Sequence, residues 1–209
     1  MLIQAYVKTR PYLYHLTDSA NISRMARTRR IDPAAALFER AARLDMVRRK
    51  RDRHERISIG RDVIAIRDQA PLHEGNLSLP TGYTFEEFVE SLNSRVFFWP
   101  GAAVGPISYG TRHFERYENE APAILRLTFA SLLSANTFAN PMFCRYNSGS
   151  PRCSYGVKSP RGPRTFVPAA EFEGTPGQVV EVTFDCQLVL PSDTEVGSRP
   201  SGPWRPLGS

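Results

Sequence analysis

Leu13–Tyr14–His15–Leu16–Thr17 is the stretch that most limits how this chain can fold. In an extended strand, residues two apart share a face, so His15 and Thr17 point one way and Tyr14 the other. Asp18 or Ser19 then offers a side-chain oxygen to free N–H groups, which predicts a short helix over residues 19–27. A polar pair at a strand end beside a helix N-terminus suits an anion or a sugar hydroxyl. Taken alone, a histidine in such a place is more often structural or on the surface.

The rest of the chain alternates strand and helix signals. Residues 2–7 fit a short strand or a first helical turn. Asp32–Pro33 opens a helix over residues 34–45 with Leu37, Ala41 and Leu44 on one face. Strands are predicted at 57–59 and 63–66 around Gly60–Arg61–Asp62. Thr84 and Glu87 form a capping box for a helix that buries Phe85, Phe88, Val89 and Leu92 and stops near Asn93. Val96–Phe97–Phe98–Trp99 is a strongly apolar strand whose default role is core, with Arg95 at its edge able to meet a ligand phosphate. A helix at 113–120 ends before Pro122, and a strand at 123–129 carries Arg126 inside its apolar run. Residues 136–165 are rich in turn signals, long for a passive connection, and basic, which is the composition of a recognition loop. The last confident strand, 178–184, sets Glu181 among Val and Phe residues. Residues 197–209 are rich in Gly, Pro, Ser and Arg and read as a disordered tail, leaving 1–196 as one domain.

Charge bears on partners. The net charge is +6, and 24 of the 27 basic residues are Arg. Between residues 24 and 56 there are 12 basic and 5 acidic side chains, densest at Arg48, Arg49, Lys50, Arg51, Arg53 and Arg56. Such a block can hold a DNA or RNA backbone; the bland alternative is a solvated surface. The absence of an apolar run of about 20 residues argues against a membrane span. Met1–Lys8 lacks the basic-then-apolar order of a secretory signal. Cys144, Cys153 and Cys186 make neither a disulfide framework nor a metal-ligand pattern, so no metal and a reducing, cytoplasmic setting are expected.

Several motifs together carry a family resemblance. Tyr14–His15–Leu16–Thr17 before a helix, and Gln178–Val179–Val180–Glu181–Val182–Thr183–Phe184 before Val189–Leu190–Pro191, resemble the ADP-ribosyltransferase-like proteins. The likeness is greatest to the toxins that ADP-ribosylate DNA. Arg67–Asp68–Gln69–Ala70–Pro71–Leu72, Leu92–Asn93–Ser94–Arg95–Val96–Phe97–Phe98–Trp99 and Tyr146–Asn147–Ser148–Gly149 resemble an uncharacterised bacterial and phage domain group related to that fold.

The resemblance implies an α+β fold: an ADP-ribosyltransferase-like split, bent mixed β-sheet with surrounding helices and a central NAD cleft. It makes His15 a partner of the ribose and adenosine portion of NAD, with Tyr14 and Thr17 beside it. Glu181 becomes the carboxylate on the nicotinamide ribose, Arg95 the phosphate ligand, and Phe97 and Phe98 the flanks of the nicotinamide ring. Tyr146, Asn147, Ser148 and Gly149, with Arg161 and Arg164, fall on the acceptor side. Transferases that modify arginine carry Gln or Glu two residues before the catalytic Glu; Val179 stands there, and Gln178 points to the opposite face, which argues against arginine as acceptor. The implied activity is NAD-dependent ADP-ribosyl transfer to DNA, RNA or a protein, in a toxin or defence setting. The alternatives are a non-catalytic nucleic-acid- or protein-binding module, and an NAD hydrolase or RNA 2′-phosphotransferase-like enzyme. The transferase reading requires His15 and Glu181 in one cleft; a binding module on the same fold would instead show salt-sensitive binding and no NAD turnover.

Overall fold

A computed structural model describes residues 3–209. Helix α1 (Ile3–Thr9) leads into strand β1 (Tyr12–Asp18) and helix α2 (Ile22–Thr28). The Asp18 carboxylate accepts from the Ala20 N–H at 2.9 Å and caps the turn between them. Strand β2 (Arg30–Ile31), helix α3 (Ala34–Arg40) and the hairpin β3 (Glu55–Ile59) and β4 (Asp62–Ile66) follow. Next come β5 (Leu77–Ser78), helix α4 (Phe85–Asn93), β6 (Val96–Ala102), β7 (Gly105–Pro106) and helix α5 (Ser108–Arg116). Strand β8 (Pro122–Thr128), helix α6 (Phe129–Ala135) and β9 (Met142–Cys144) precede a long loop holding β10 (Ser159–Pro160) and β11 (Val167–Pro168). Strands β12 (Glu181–Phe184), β13 (Leu188–Val189), β14 (Glu195–Gly197) and β15 (Arg205–Pro206) complete the chain.

The architecture is α+β, a nine-stranded sheet with helices around it. Its order is β11-β9-β12-β6-β1-β8-β14-β15, with β7 against β6; β5 and β10 form a separate parallel pair. The pairing along β6 changes partway. Trp99, Pro100 and Gly101 pair with Tyr14, Leu13 and Tyr12 of β1. Val96, Phe97 and Phe98 pair instead with Phe184, Thr183 and Val182 of β12. Beyond Tyr14↔Trp99, β1 keeps only β8 as its ladder partner, from His15↔Leu125 to Asp18↔Pro122. The sheet therefore divides between β1 and β6.

Apolar clusters cover both sides of this division. Tyr6, Leu13, Leu125, Phe129, Phe143, Val182 and Phe184 join the main core. Helix α4 sets Phe88, Val89 and Leu92 against Leu72, Leu77 and Phe166. Helix α3 sets Leu37 and Phe38 against Ile57, Ile64 and Ile66 of the hairpin. It is shorter than its helix-forming composition predicts: Ala42 turns left-handed (φ 55°), and Leu44 is left in solvent. The expectation for residues 2–7 resolves as helix α1 from Ile3, and Leu2 lies outside the described residues.

The tail also departs from its composition. β15 pairs with β14, Leu207 is buried, and its N–H donates to the Thr194 carbonyl at 2.9 Å. Trp204 packs against Tyr14 and under the Arg126 guanidinium, 4.5 Å from its ring, while Arg126 Nε bonds Glu195 at 2.7 Å. One aromatic and one leucine outweigh the Gly and Pro content around them. Ending the chain after Gly197 is expected to lower the unfolding free energy by about 3 kcal/mol, because this packing and the strand pair are lost together. A urea titration checks this; an unchanged midpoint would mean the tail adds nothing to the fold.

Candidate functional site

A cavity of about 580 Å³ opens where β1 and β6 part. Its walls include His15, Leu16 and Thr17 of β1, Arg95 and Phe97 at the start of β6, and Glu181 at the start of β12. Tyr146, Asn147, Ser148, Gly149 and Arg161 of the long loop close another side. The two residues singled out by the sequence, His15 and Glu181, thus line one cavity.

The parting of the strands sets the state of His15. Its Nδ1 lies 2.8 Å from the Phe97 carbonyl, bridging the two separated strands. A carbonyl only accepts, so Nδ1 carries the proton and Nε2 is left as an acceptor. Burial lowers the His15 pKa to about 4, so the ring is neutral. Thr17 Oγ accepts from Asn21 Nδ2 at 3.0 Å, and Asn21 in turn bonds both backbone groups of Ala65. That chain ties β1 to the hairpin while leaving the threonine proton free.

Glu181 is 3 % exposed, so its strand position does not carry it to solvent. Its Oε1 accepts from the Ser148 N–H at 3.1 Å, and its Oε2 has no hydrogen-bond partner among the described residues. Burial raises its pKa to about 7; Ser148 and the Arg161 charge oppose that rise. A carboxylate held by one oxygen and free at the other is suited to facing a positive charge in the cavity.

Arg95 stacks over Phe166 at 4.5 Å, and two of its buried nitrogens, Nε and Nη1, lack partners among the described residues. Burial lowers its pKa. Phe97 makes an edge contact with the same Phe166 ring at 5.8 Å. Deeper in, Arg51 Nη1 donates to Asn93 Oδ1 at 2.6 Å and Arg51 Nε to the Arg67 carbonyl at 2.9 Å, with Gln69 Nε2 also on Asn93 Oδ1 at 3.1 Å. The 67–69 and 92–95 motifs therefore meet in one buried network.

Several expected roles are corrected. Tyr14 is fully buried beside Trp99 and Phe114, and its hydroxyl donates to the Ala102 carbonyl, so it does not face the cavity. Phe98 is core, edge-on to Phe184. Tyr14 is held by the cluster around Trp99 and Phe114, and Phe98, whose ring lies 5.7 Å from that of His15, is held in the main core. Arg161 keeps its place on the cavity wall, its Nη atoms on Ser159, Pro160 and Asn147 and its buried Nε without a partner among the described residues, whereas Arg164 lies off the cavity, beside Arg145 and Phe172. Arg51 is buried and meets no phosphate backbone. Of the other cations expected at a nucleic-acid backbone, Arg48 pairs with Glu90 at 3.2 Å and Lys50 with Asp52, while Arg49, Arg53 and Arg56 are exposed on the surface outside the cavity.

One wall escaped the sequence. Tyr109, Arg112, His113 and Arg116 all line the cavity from α5, at the i, i+3, i+4, i+7 spacing of one helix face. That spacing was readable, but Gly110 hid the start of the helix. A Cβ there would come within 2.8 Å of Trp99, so glycine permits the helix to seat on β6. His54 lies between Asp68 and Glu120, at 2.8 and 2.9 Å, in the one cluster of metal-ligand type among the described residues. Arg67 Nη1 stands 3.3 Å from His54 Nε2 and already supplies the positive charge there.

No helix among the described residues is long and apolar enough to cross a membrane. No curated protein and no solved structure matches the chain significantly. A family of unknown function, DUF7002, matches residues 11–194. Since that match spans most of the chain, including β1, β6 and every wall of the cavity, the chain belongs to the DUF7002 family.

Proposed function

We propose that this protein is an NAD-dependent ADP-ribosyltransferase acting on a nucleic-acid acceptor, on an ADP-ribosyltransferase-like split sheet. The observation that carries the reading is that neutral His15 and buried Glu181 face one cavity at the division between β1 and β6. The free groups fit the substrate. His15 Nε2 accepts a ribose hydroxyl, the unpartnered nitrogens of Arg95 take a phosphate, and Phe97 and Tyr146 offer ring faces. About 580 Å³ lies within the usual range of ligand pockets. When bound, NAD supplies a glycosidic bond that breaks with nicotinamide taking the electron pair. Glu181 Oε2 then faces the positive charge growing on the ribose carbon, and stabilises it more in the transition state than in the ground state.

Glu181→Gln is expected to lower transfer from labelled NAD by at least a hundredfold, about 3 kcal/mol of barrier. The same variant is expected to be more stable than the parent at pH 8. The folded carboxyl titrates at about 7 against 4.5 for the free group, so its ionisation costs stability that grows between those values and levels off above them. The gain at pH 8 is up to about 3 kcal/mol and vanishes below pH 4.5. Thermal unfolding at pH 4 and pH 8 checks the sign. Transfer that survives in Glu181→Gln would sink the reading, and free nicotinamide with no labelled acceptor would make the protein a hydrolase.

The acceptor side is favoured on α5 rather than on residues 24–56. Within that segment Arg24 and Arg40 pair with Asp32, Arg27 with Asp62, and Arg43 with Asp45, and its exposed arginines without an ion pair among the described residues, Arg30, Arg49, Arg53 and Arg56, lie outside the cavity. Arg112 and Arg116 have no carboxylate within 4 Å among the described residues, and Arg112 lies 5.1 Å from the ring of Tyr109, which is 43 % exposed. An open ring beside two unpaired guanidiniums suits a base and its neighbouring phosphates. Replacing Arg112 and Arg116 by Gln is expected to flatten the salt dependence of single-stranded oligonucleotide binding by about 0.7 in slope per phosphate lost. Fluorescence anisotropy reads this without NAD, and Arg53→Gln with Arg56→Gln is expected to leave the slope unchanged.

A further inference from the structure

We infer that Arg161 is a positioning residue that sets the orientation and ionisation of Glu181 through a single peptide unit, Asn147–Ser148. The loop carrying that peptide passes between the two side chains. Arg161 Nη2 donates to the Asn147 carbonyl at 3.0 Å, and the Ser148 N–H of the same peptide donates to Glu181 Oε1 at 3.1 Å. In a trans peptide the C=O and N–H point in opposite directions, so guanidinium, peptide and carboxylate run in series. Each hydrogen bond polarises the next, and a positive charge on the carbonyl makes the N–H a stronger donor to the carboxylate.

The geometry leaves Arg161 little other freedom. It is 5 % exposed and stacks 4.2 Å from the Tyr146 ring. Nη1 is held by Ser159 Oγ at 2.8 Å and the Pro160 carbonyl at 2.7 Å. A guanidinium can meet all these acceptors at once, whereas an ammonium is a point charge without the fork. Arg161 thus fixes the loop at both ends and holds the Ser148 N–H toward Glu181. The other titratable group that faces Glu181 is the Cys144 thiol, its cross-strand neighbour on β9, which burial keeps protonated. On the β6 side Val96, Phe97 and Phe98 carry no charge, and Arg95 shares the cavity wall.

The inference rests on the transferase reading only for its effect on turnover. The test is a pH titration of the Glu181 carboxyl by carbon NMR with labelled glutamate, its signal assigned from Glu181→Gln. Arg161→Gln is expected to raise the Glu181 midpoint by about one pH unit or more, and Arg161→Lys by less, since the charge returns without the fork. Arg164→Gln, which lies off the cavity, is expected to change nothing. Folding of each variant is read by circular dichroism; if Arg161→Gln does not fold, Arg161→Lys decides alone. A midpoint unmoved in a folded Arg161 variant overturns the inference. If the midpoint moves but no variant or parent turns over NAD, the positioning role stands and the transferase reading falls. Where turnover occurs, the acid limb of its pH profile is expected to shift with the NMR midpoint; a limb that stays put overturns the role.

Discussion

The structure depends on the separation of two strands that would otherwise pair. β1 and β6 share three positions and then part, and every functional group discussed above sits on the lips of that opening. Gly101 marks the closed end: a Cβ there would come within 2.3 Å of the Gly105 carbonyl and 2.9 Å of the Tyr14 ring, so only glycine lets β7 fold back so near. At the open end, backbone groups lose ladder partners and side chains take their place. His15 reaches the Phe97 carbonyl, and Arg67 Nη2 reaches the Thr17 carbonyl at 3.0 Å. The bond that repairs the sheet is thus the bond that fixes the histidine tautomer, which couples fold and site at one atom.

Burial moves the two residues across this opening in opposite directions. His15 falls to about 4 and Glu181 rises to about 7. Both shifts favour the neutral form, because a low-dielectric wall penalises either charge. The consequence differs for each. The histidine is locked as a neutral acceptor across physiological pH, while the carboxyl is balanced at its ionisation point and responds to whatever charge enters beside it. A cationic ring in the cavity favours the carboxylate; an empty cavity favours the acid. A group kept in that balance is costly to folding and useful only to a ligand, which is how a site differs from a core.

Much of this was readable in the residues. The capping box at Thr84–Glu87 and the β3–β4 hairpin around Gly60 form as local chemistry dictates, since turn and cap residues act within a few positions. Glu181 stood out as a carboxylate in an apolar strand, and His15 as a polar residue beside a cap. Other features needed the fold. Tyr14 and Phe98 carry the same types of side chain as the cavity wall, but their tertiary neighbours bury them in the core. The α5 face was hidden because Gly110 weakens any helix prediction until Trp99 is known to lie against it. The tail was hidden because one Trp and one Leu decide its place, against the weight of nine Gly, Pro and Ser neighbours.

Arginine usage serves the backbone as well as any partner. An Arg-rich chain invites the thought of nucleic acid, yet many of these guanidiniums bond the protein's own carbonyls. Arg29 reaches Leu190, Pro191 and Leu207; Arg51 reaches Arg67; Arg67 reaches Thr17 and Glu120; Arg126 reaches Ala103; Arg161 reaches Asn147 and Pro160. The fold has many two-residue strands and one divided sheet, so it leaves many carbonyls without ladder donors. A buried carbonyl without a partner costs roughly 1–3 kcal/mol. Arginine answers that need better than lysine, because one planar group with five donors can satisfy carbonyls on separate segments and stack on a ring as well. Part of the excess of Arg over Lys is then a property of how this backbone is held. Evidence for an outside partner lies in the unpaired guanidiniums that also line the cavity, Arg112 and Arg116 on α5 and Arg95 inside.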